Sequence, residues 1–283
     1  MKKKNQKSTL LIAVLLLTAC EKIVLDDDGD TRLRFVPTTA DTRGTVTVGD
    51  YFSRLAVQLF DSTGTKVFAQ SKTQTRDDDD FGTLNVGLKA GTYTVVAVGH
   101  SSPVTPTIKS TELVQFTAKD GVKNSDTFCH YGTVTIDEDG GYHELRMNRM
   151  TAMVTFEFTD EMMPDNFAGL KVEYTGGSAN FAPITGQGCT KSSQSEMRQR
   201  AQQYQVFTFP YLSAEGILKM TLNALDANQN VLTTKTLTDV PVTRNRITRC
   251  TGVLFGEGDF DIKQTTFGIA VETDWDGINE YTF

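Results

Sequence analysis

From Thr31 onward, apolar and polar residues alternate with a period of two between turn-forming clusters, a pattern that predicts strands and very little helix. In RLAVQLFDSTGTKVF, Leu55, Val57 and Leu59 fall on one face, and Asp61-Ser62-Thr63-Gly64 then turns the chain into a second strand expected at Lys66 to Ala69. ILKMTLNALDANQNVL follows the same plan: Leu218, Met220, Leu222 and Ala224 alternate with polar residues before a turn at Asp226 to Asn230. One hairpin design is thus used once in each half. KSSQSEMRQRAQQ, Lys191 to Gln203, has no strand period and is expected to be a solvated loop carrying at most one helical turn.

In LNVGLKAGTYTVVAVGH, Tyr93 to Val98 is apolar on both faces, which predicts a central strand covered on two sides. Its Leu-x-x-Gly-x-Tyr opening, Leu88 to Tyr93, is similar to that of transthyretin-like and immunoglobulin-like β-sandwiches, where the glycine turns and the tyrosine packs at the next strand's start. YGTVTIDEDGGYHELRMNRM predicts a strand at Thr133 to Ile136, a tight turn at Asp139-Gly140-Gly141 and a return strand from Tyr142 to Met147. TAMVTFEFTD follows at once, with Ala152, Val154, Phe156 and Phe158 on one face and Thr151, Met153, Thr155 and Glu157 on the other. The expectation is an all-β chain of two tandem β-sandwich domains, residues 31–149 and 150–283, whose short junction leaves little freedom to rotate.

The front of the chain obeys different rules. Lys2, Lys3, Lys4 and Lys7 precede an apolar run from Leu10 to Leu17 that is too short to span a bilayer, so residues 1–19 read as a secretory signal peptide. Leu17-Thr18-Ala19-Cys20 resembles the bacterial lipobox, which makes Cys20 the first mature residue and the acceptor of a diacylglyceryl group. Two or three acyl chains hold a protein in a membrane without any helix. Residues 20–30 then form a tether, and its Asp26, Asp27, Asp28 and Asp30 resemble the surface-export signals of Bacteroidetes lipoproteins, a solvated linker being the plainer alternative.

Removing residues 1–19 takes away four lysines and no acids, which moves the formal net charge from −7 to −11 and argues against nucleic acid as a partner. Cys129, Cys189 and Cys250 are odd in number and widely spaced, so neither a disulfide framework nor a metal knuckle is implied. Gly99-His100-Ser101-Ser102-Pro103 fails as a nucleophile elbow because Pro103 stands where the final glycine is needed. His100, His130 and His143 lack zinc spacing, and the acidic runs Asp77 to Asp80 and Asp137 to Asp139 read as turns rather than calcium loops. No catalytic, cofactor or metal site is expected. Trp275 is the sole tryptophan, more suited to plugging a sandwich end than to stacking a sugar.

LRMNRMTAMVTFEF (Leu145 to Phe158), DVPVTRNRITRCTGVLF (Asp239 to Phe255), the lipobox and the terminal WDGINEYTF together resemble the fimbrial subunits of Bacteroidales, most of all the minor subunits that anchor type V pili to the outer membrane. The resemblance implies transthyretin-like sandwiches joined to other fimbrial subunits, such as a stalk pilin, by donor-strand exchange. Two stretches alternate suitably: Leu33 with Phe35 in RLRFV, and Phe267, Ile269 and Val271 in TFGIAV. The same alternation also suits ordinary intradomain strands. Shaft precursors of the family are cut by an arginine-specific protease after their first strand, and Arg43 stands at a comparable position, so cleavage there would mark a shaft or tip subunit rather than an anchor. A glycan-binding surface lipoprotein is the alternative from another class.

Overall fold

The computed structural model describes residues 31–37, 47–117, 124–200, 202–258 and 260–264, with the side chains of 263 and 264 excepted. Cys20, Arg43, Phe267, Ile269, Val271 and Trp275 therefore lie outside the described residues.

The first half comprises β1 (Thr31–Pro37), a single 3-10 turn (Val48–Asp50), β2 (Arg54–Phe60), β3 (Lys72–Thr75), β4 (Thr83–Val86), β5 (Gly91–His100), β6 (Thr107–Ser110), β7 (Leu113–Gln115), β8 (Thr127–Ile136) and β9 (Gly141–Arg149). Seven of these strands run in the order β3-β2-β5-β8-β9-β1-β4. β8 and β9 pair only at Phe128 with Arg149 and at Cys129 with Asn148, besides the turn bridge between Asp137 and Gly140. The sheet folds over along that seam, and β3-β2-β5-β8 faces β9-β1-β4 across a core of Leu33, Phe35, Leu55, Val57, Leu59, Val95, Phe128, Leu145 and Met147.

The second half comprises β10 (Ala152–Phe158), β11 (Gly169–Thr175), β12 (Gly177–Ser178), β13 (Asn180–Ala182), β14 (Gln187–Gly188), β15 (Gln194–Gln199), β16 (Gln205–Pro210), β17 (Glu215–Leu225), β18 (Val231–Thr243), β19 (Ile247–Gly252) and β20 (Asp261–Gln264). Sheets β12-β16-β10-β19-β20 and β15-β11-β17-β18 enclose a second core, in which Ala152, Val154 and Phe156 meet Leu218, Met220 and Leu222. The chain is therefore all-β and built as two sandwiches. The alternation of apolar residues in β10 and β17 places one face of each strand inward, as their sequences require.

A third cluster joins the halves. β14-β13-β7-β6 takes two strands from each half, pairing Phe181 with Val114 and Asn180 with Gln115. It lies over the outer face of β2 and β5, so Ala56, Phe60, Val96 and Val98 pack with Ile108, Val114, Phe181 and Phe209. This second cover explains why β5 is apolar on both faces. Tyr93 fills the core side, and its hydroxyl donates to Lys89 O at 2.9 Å across the turn that opens the strand.

Two expectations are corrected. The strand expected at Lys66 to Ala69 is only a bridge from Lys66 to Phe60, after which the chain bulges out until β3. Buried Gln58 causes the bulge: its Nε2 donates to Phe68 O at 3.0 Å, and its Oε1 accepts from Phe68 N at 3.2 Å, replacing the ladder bonds of a regular strand. The expected loop from Lys191 to Gln203 contains β15, an edge strand paired with β11 from Gln194–Tyr174 to Gln199–Gly169. Its inward positions are polar, Gln194 and Glu196, so no apolar alternation marks it.

Candidate functional site: the first strand and the junction between the sandwiches

β1, the first described strand after the acidic tether, is held on both sides. It runs parallel to β9 from Thr31–Gly141 to Pro37–Met147, and antiparallel to β4 from Thr31–Val86 to Arg34–Thr83. Leu33 and Phe35 point inward and are 0% and 1% exposed, so both belong to the close-packed core of the first sandwich. On the outer face Arg34 Nη1 donates to Tyr142 Oη at 3.5 Å. The ladder continues past β4, with Phe35 N donating to Gly82 O at 2.8 Å.

The two stretches that carry the fimbrial resemblance meet in space. The chain passes from β9 to β10 through Met150 and Thr151 alone. Arg149 closes this crossing: its Nε donates to Asp126 Oδ1 at 2.9 Å, its Nη1 donates to Asn245 Oδ1 at 2.9 Å, and its guanidinium sits 4.7 Å from the centre of the Phe128 ring. Thr151 Oγ1 donates to the same Asp126 oxygen at 3.0 Å, and Asn245 N donates to Thr151 O at 2.8 Å. Asn245 has a φ of 61°, a left-handed conformation that asparagine tolerates better than most side chains. Arg244 reaches Gly186 O at 3.2 Å. Arg244-Asn245-Arg246 is thus the turn that meets the end of the first half, through the bond from Arg149 to Asn245.

Other ionisable groups serve the fold. His100 is buried against Phe116, and burial pushes its pKa down to about 4, helped by the charge of Arg54. Ser101 Oγ accepts from Ser53 N at 3.2 Å and Ser102 Oγ from Val104 N at 3.3 Å, so the failed elbow is a backbone brace. The Cys129 and Cys250 thiols are buried and pushed up, Cys250 to about 12, far from the thiolate a nucleophile needs. Glu196 is the most perturbed carboxyl, raised to about 7 by burial, with Arg198 Nη2 at 2.6 Å partly opposing the shift. Tyr174 Oη lies 3.2 Å from Glu196 Oε1 and 3.0 Å from Phe207 O. One hydroxyl proton cannot serve both acceptors, and a protonated Glu196 resolves the conflict by donating to Tyr174, which then donates to Phe207 O. Composition gave no hint of this group.

Among the described residues no cluster of three or more His, Cys, Asp or Glu is placed to hold a metal ion, and no helix is long and apolar enough to cross a membrane. The acidic run Asp77 to Asp80 is a turn between β3 and β4, in which Asp78 Oδ2 accepts from Thr75 N at 2.6 Å.

The described residues thus form a paired-sandwich protein with a buried first strand and a clasped junction, and the comparisons place it in a family. The family model of the fimbrillin-A associated anchor proteins Mfa1 and Mfa2 matches residues 18–240, and the chain belongs to that family. Among solved structures, it is similar to a candidate polysaccharide-binding protein of Bacteroides thetaiotaomicron at 12% identity and a TM-score of 0.54, covering 89% of this chain and 98% of that one. The fimbrial anchor protein Mfa2 of Porphyromonas gingivalis aligns at 14% identity and a TM-score of 0.44, covering 89% of this chain and 99% of that one. A fimbrial assembly protein of Parabacteroides distasonis gives 14% identity and a TM-score of 0.44 over 82% of this chain and 94% of that one. At 12% identity the likeness to the Bacteroides thetaiotaomicron structure speaks for the fold alone. No curated protein sequence matches the chain. The family is one of fimbrial structural and adhesive proteins, and it places the chain among surface fimbrial components.

Proposed function

We propose that the protein is a surface-exposed outer-membrane lipoprotein that anchors a type V pilus, with Cys20 carrying the lipid, residues 20–30 as tether and residues 31–149 and 150–283 as its two domains. The position of β1 carries the reading. A strand bonded to β9 along its length and to β4 over Thr31 to Arg34, and buried through Leu33 and Phe35, joins the tether directly to a folded sandwich, so a pull on the pilus loads many hydrogen bonds at once. The family match, which begins at residue 18, supports it.

Arg43 follows β1, so cleavage there would leave β1 with the lipid and uncover Leu145, Met147 and Val86. The anchor keeps this bond intact; a shaft or tip subunit would lose it and open a groove for a donor strand. In the anchor, the alternating stretch with Phe267, Ile269 and Val271 is the segment through which a stalk pilin docks, by strand addition. A Cys20→Ala variant is expected to lose labelling by radioactive palmitate and to release fimbriae into the medium. Unchanged labelling contradicts the assignment.

A further inference from the structure

In each half, the strand by which the chain enters runs parallel to a strand near its exit. β1 lies beside β9 in register from Thr31–Gly141 to Pro37–Met147, and β10 lies beside β19 from Met153–Ile247 to Phe158–Gly252. Apart from the isolated bridge of Gly188 with Tyr211, every other pairing among the described residues is antiparallel.

Parallel pairing decides how a ladder meets a pull. Residues 20–30 join the N-terminal end of β1, and Arg149, which bonds to Asn245 of the second half, stands at the C-terminal end of β9. These two points lie at opposite ends of one ladder. Drawing them apart slides β1 along β9, so the hydrogen bonds of the whole register resist together. In an antiparallel pair the same two points would share one end, and the bonds would open one after another. Sliding must also move Leu33 and Phe35, or Val154 and Phe156, out of close-packed positions. β4 braces β1 from its other side, and β16 braces β10. The halves are in series, because β9 passes to β10 through Met150 and Thr151. β20 turns back along β19, with Gln264 beside Thr248, so a pull from beyond Gln264 peels β20 pair by pair and then reaches the C-terminal end of β19.

We infer that the two parallel ladders are shear clamps in series, which let the chain carry tension between its N-terminal tether and the residues beyond Gln264 without losing β1 or β10. The inference takes from the anchoring reading only the two places where tension is applied. Single-molecule pulling of the mature chain bearing Cys20→Ser, held by peptide handles at its two ends, tests it. Two force peaks are expected, one per half, identified by the length of chain that each releases. A second geometry draws the N-terminal end against a handle at exposed Glu138, in the turn next to Gly141, so that β1 is unzipped from β9. At equal pulling rate the peak for the first half should be at least about twofold higher between the chain ends, since forced unfolding is governed by the barrier to the opening that is pulled. Gln58→Leu separates mechanical from thermal resistance. Gln58 lies on β2, outside both ladders, so the melting temperature should fall while the peak holds, whereas Leu33→Ala should lower the peak. Equal force in the two geometries, or a half that gives no peak between the chain ends, overturns the inference. So does a peak that falls with the melting temperature in Gln58→Leu. All these forces are read without lipid, so an unlabelled Cys20 in the cell would refute the anchor and leave the clamps standing.

Discussion

The hairpin at Asp61 and the hairpin at Asp226 begin as copies and end differently. In each, the aspartate Oδ1 accepts from the backbone N–H groups two and four residues on, Thr63 and Thr65 in one, Asn228 and Asn230 in the other. Both carboxyls are held below the usual carboxylate range, first by the side chains of Thr63 and Asn230 respectively. Both turns are closed by the same six-residue step, Phe60 to Lys66 and Leu225 to Val231. Three positions before each aspartate stands an outward-facing amide. Asn223 lies on the exposed side of β17, bonded to Glu173 and Thr234, and the hairpin runs on into the long β18. Gln58 lies beneath the sheet shared by the two halves, where water cannot reach it, and it takes Phe68's backbone as its partner. A neighbour in space, rather than the local sequence, decides how far each hairpin extends.

The junction that creates this asymmetry should be the most sensitive point. Arg149→Met leaves Asp126 without its buried partner and is expected to cost about 3 kcal/mol in chemical denaturation. Lys171→Met, which breaks an exposed pair with Glu173, should cost under about 1 kcal/mol. If the two cost the same, the clasp does not join the halves.

The halves should also differ in response to pH. Each has a buried polar group beside its hairpin sheet, but Gln58 is neutral while Glu196 titrates. A folded-state pKa raised to about 7 means that the fold favours protonated Glu196, so its contribution is complete below the ordinary value of 4.5 and is lost as pH rises to 7. The loss is on the order of 2–3 kcal/mol. Thermal melts from pH 4.5 to 8 should fall in the natural protein and flatten in Glu196→Gln; parallel curves would contradict the burial of that carboxyl.

The amide comparison follows directly. Gln58→Leu strands the N–H and C=O of Phe68 and should cost about 2 kcal/mol, against about 0.5 kcal/mol for Asn223→Leu. Similar losses would mean that burial is not what separates the hairpins. The last contrast is at the turn residue itself. Gly64 and Gln229 share a left-handed φ, 80° and 66°, so Gln229→Gly should gain about 1 kcal/mol and Gly64→Gln lose about as much. An added Cβ at Gly64 meets nothing within 4 Å, which leaves backbone strain as the sole source of that loss.

These contrasts also mark what the sequence could disclose. Alternation along β10 and β17 and the doubly apolar run of β5 were legible because each reports directly how many faces are covered. The short strands of the shared sheet were not, since two to four residues cannot establish a period. β15 was misread because it turns Gln194 and Glu196 inward onto polar partners, contrary to the usual meaning of polarity. At the junction, Arg149 and Asn245 lie in the two stretches that mark the family, but their contact spans 96 residues, and nothing local pairs them.

The account rests on β1 remaining joined both to its lipid and to its sandwich. Intact-mass analysis of the protein recovered from the cell envelope tests this most directly: the first residue should be a diacylated Cys20, with β1 and the rest of the chain in one piece. A chain that begins at Gly44, after cleavage at Arg43, would contradict it.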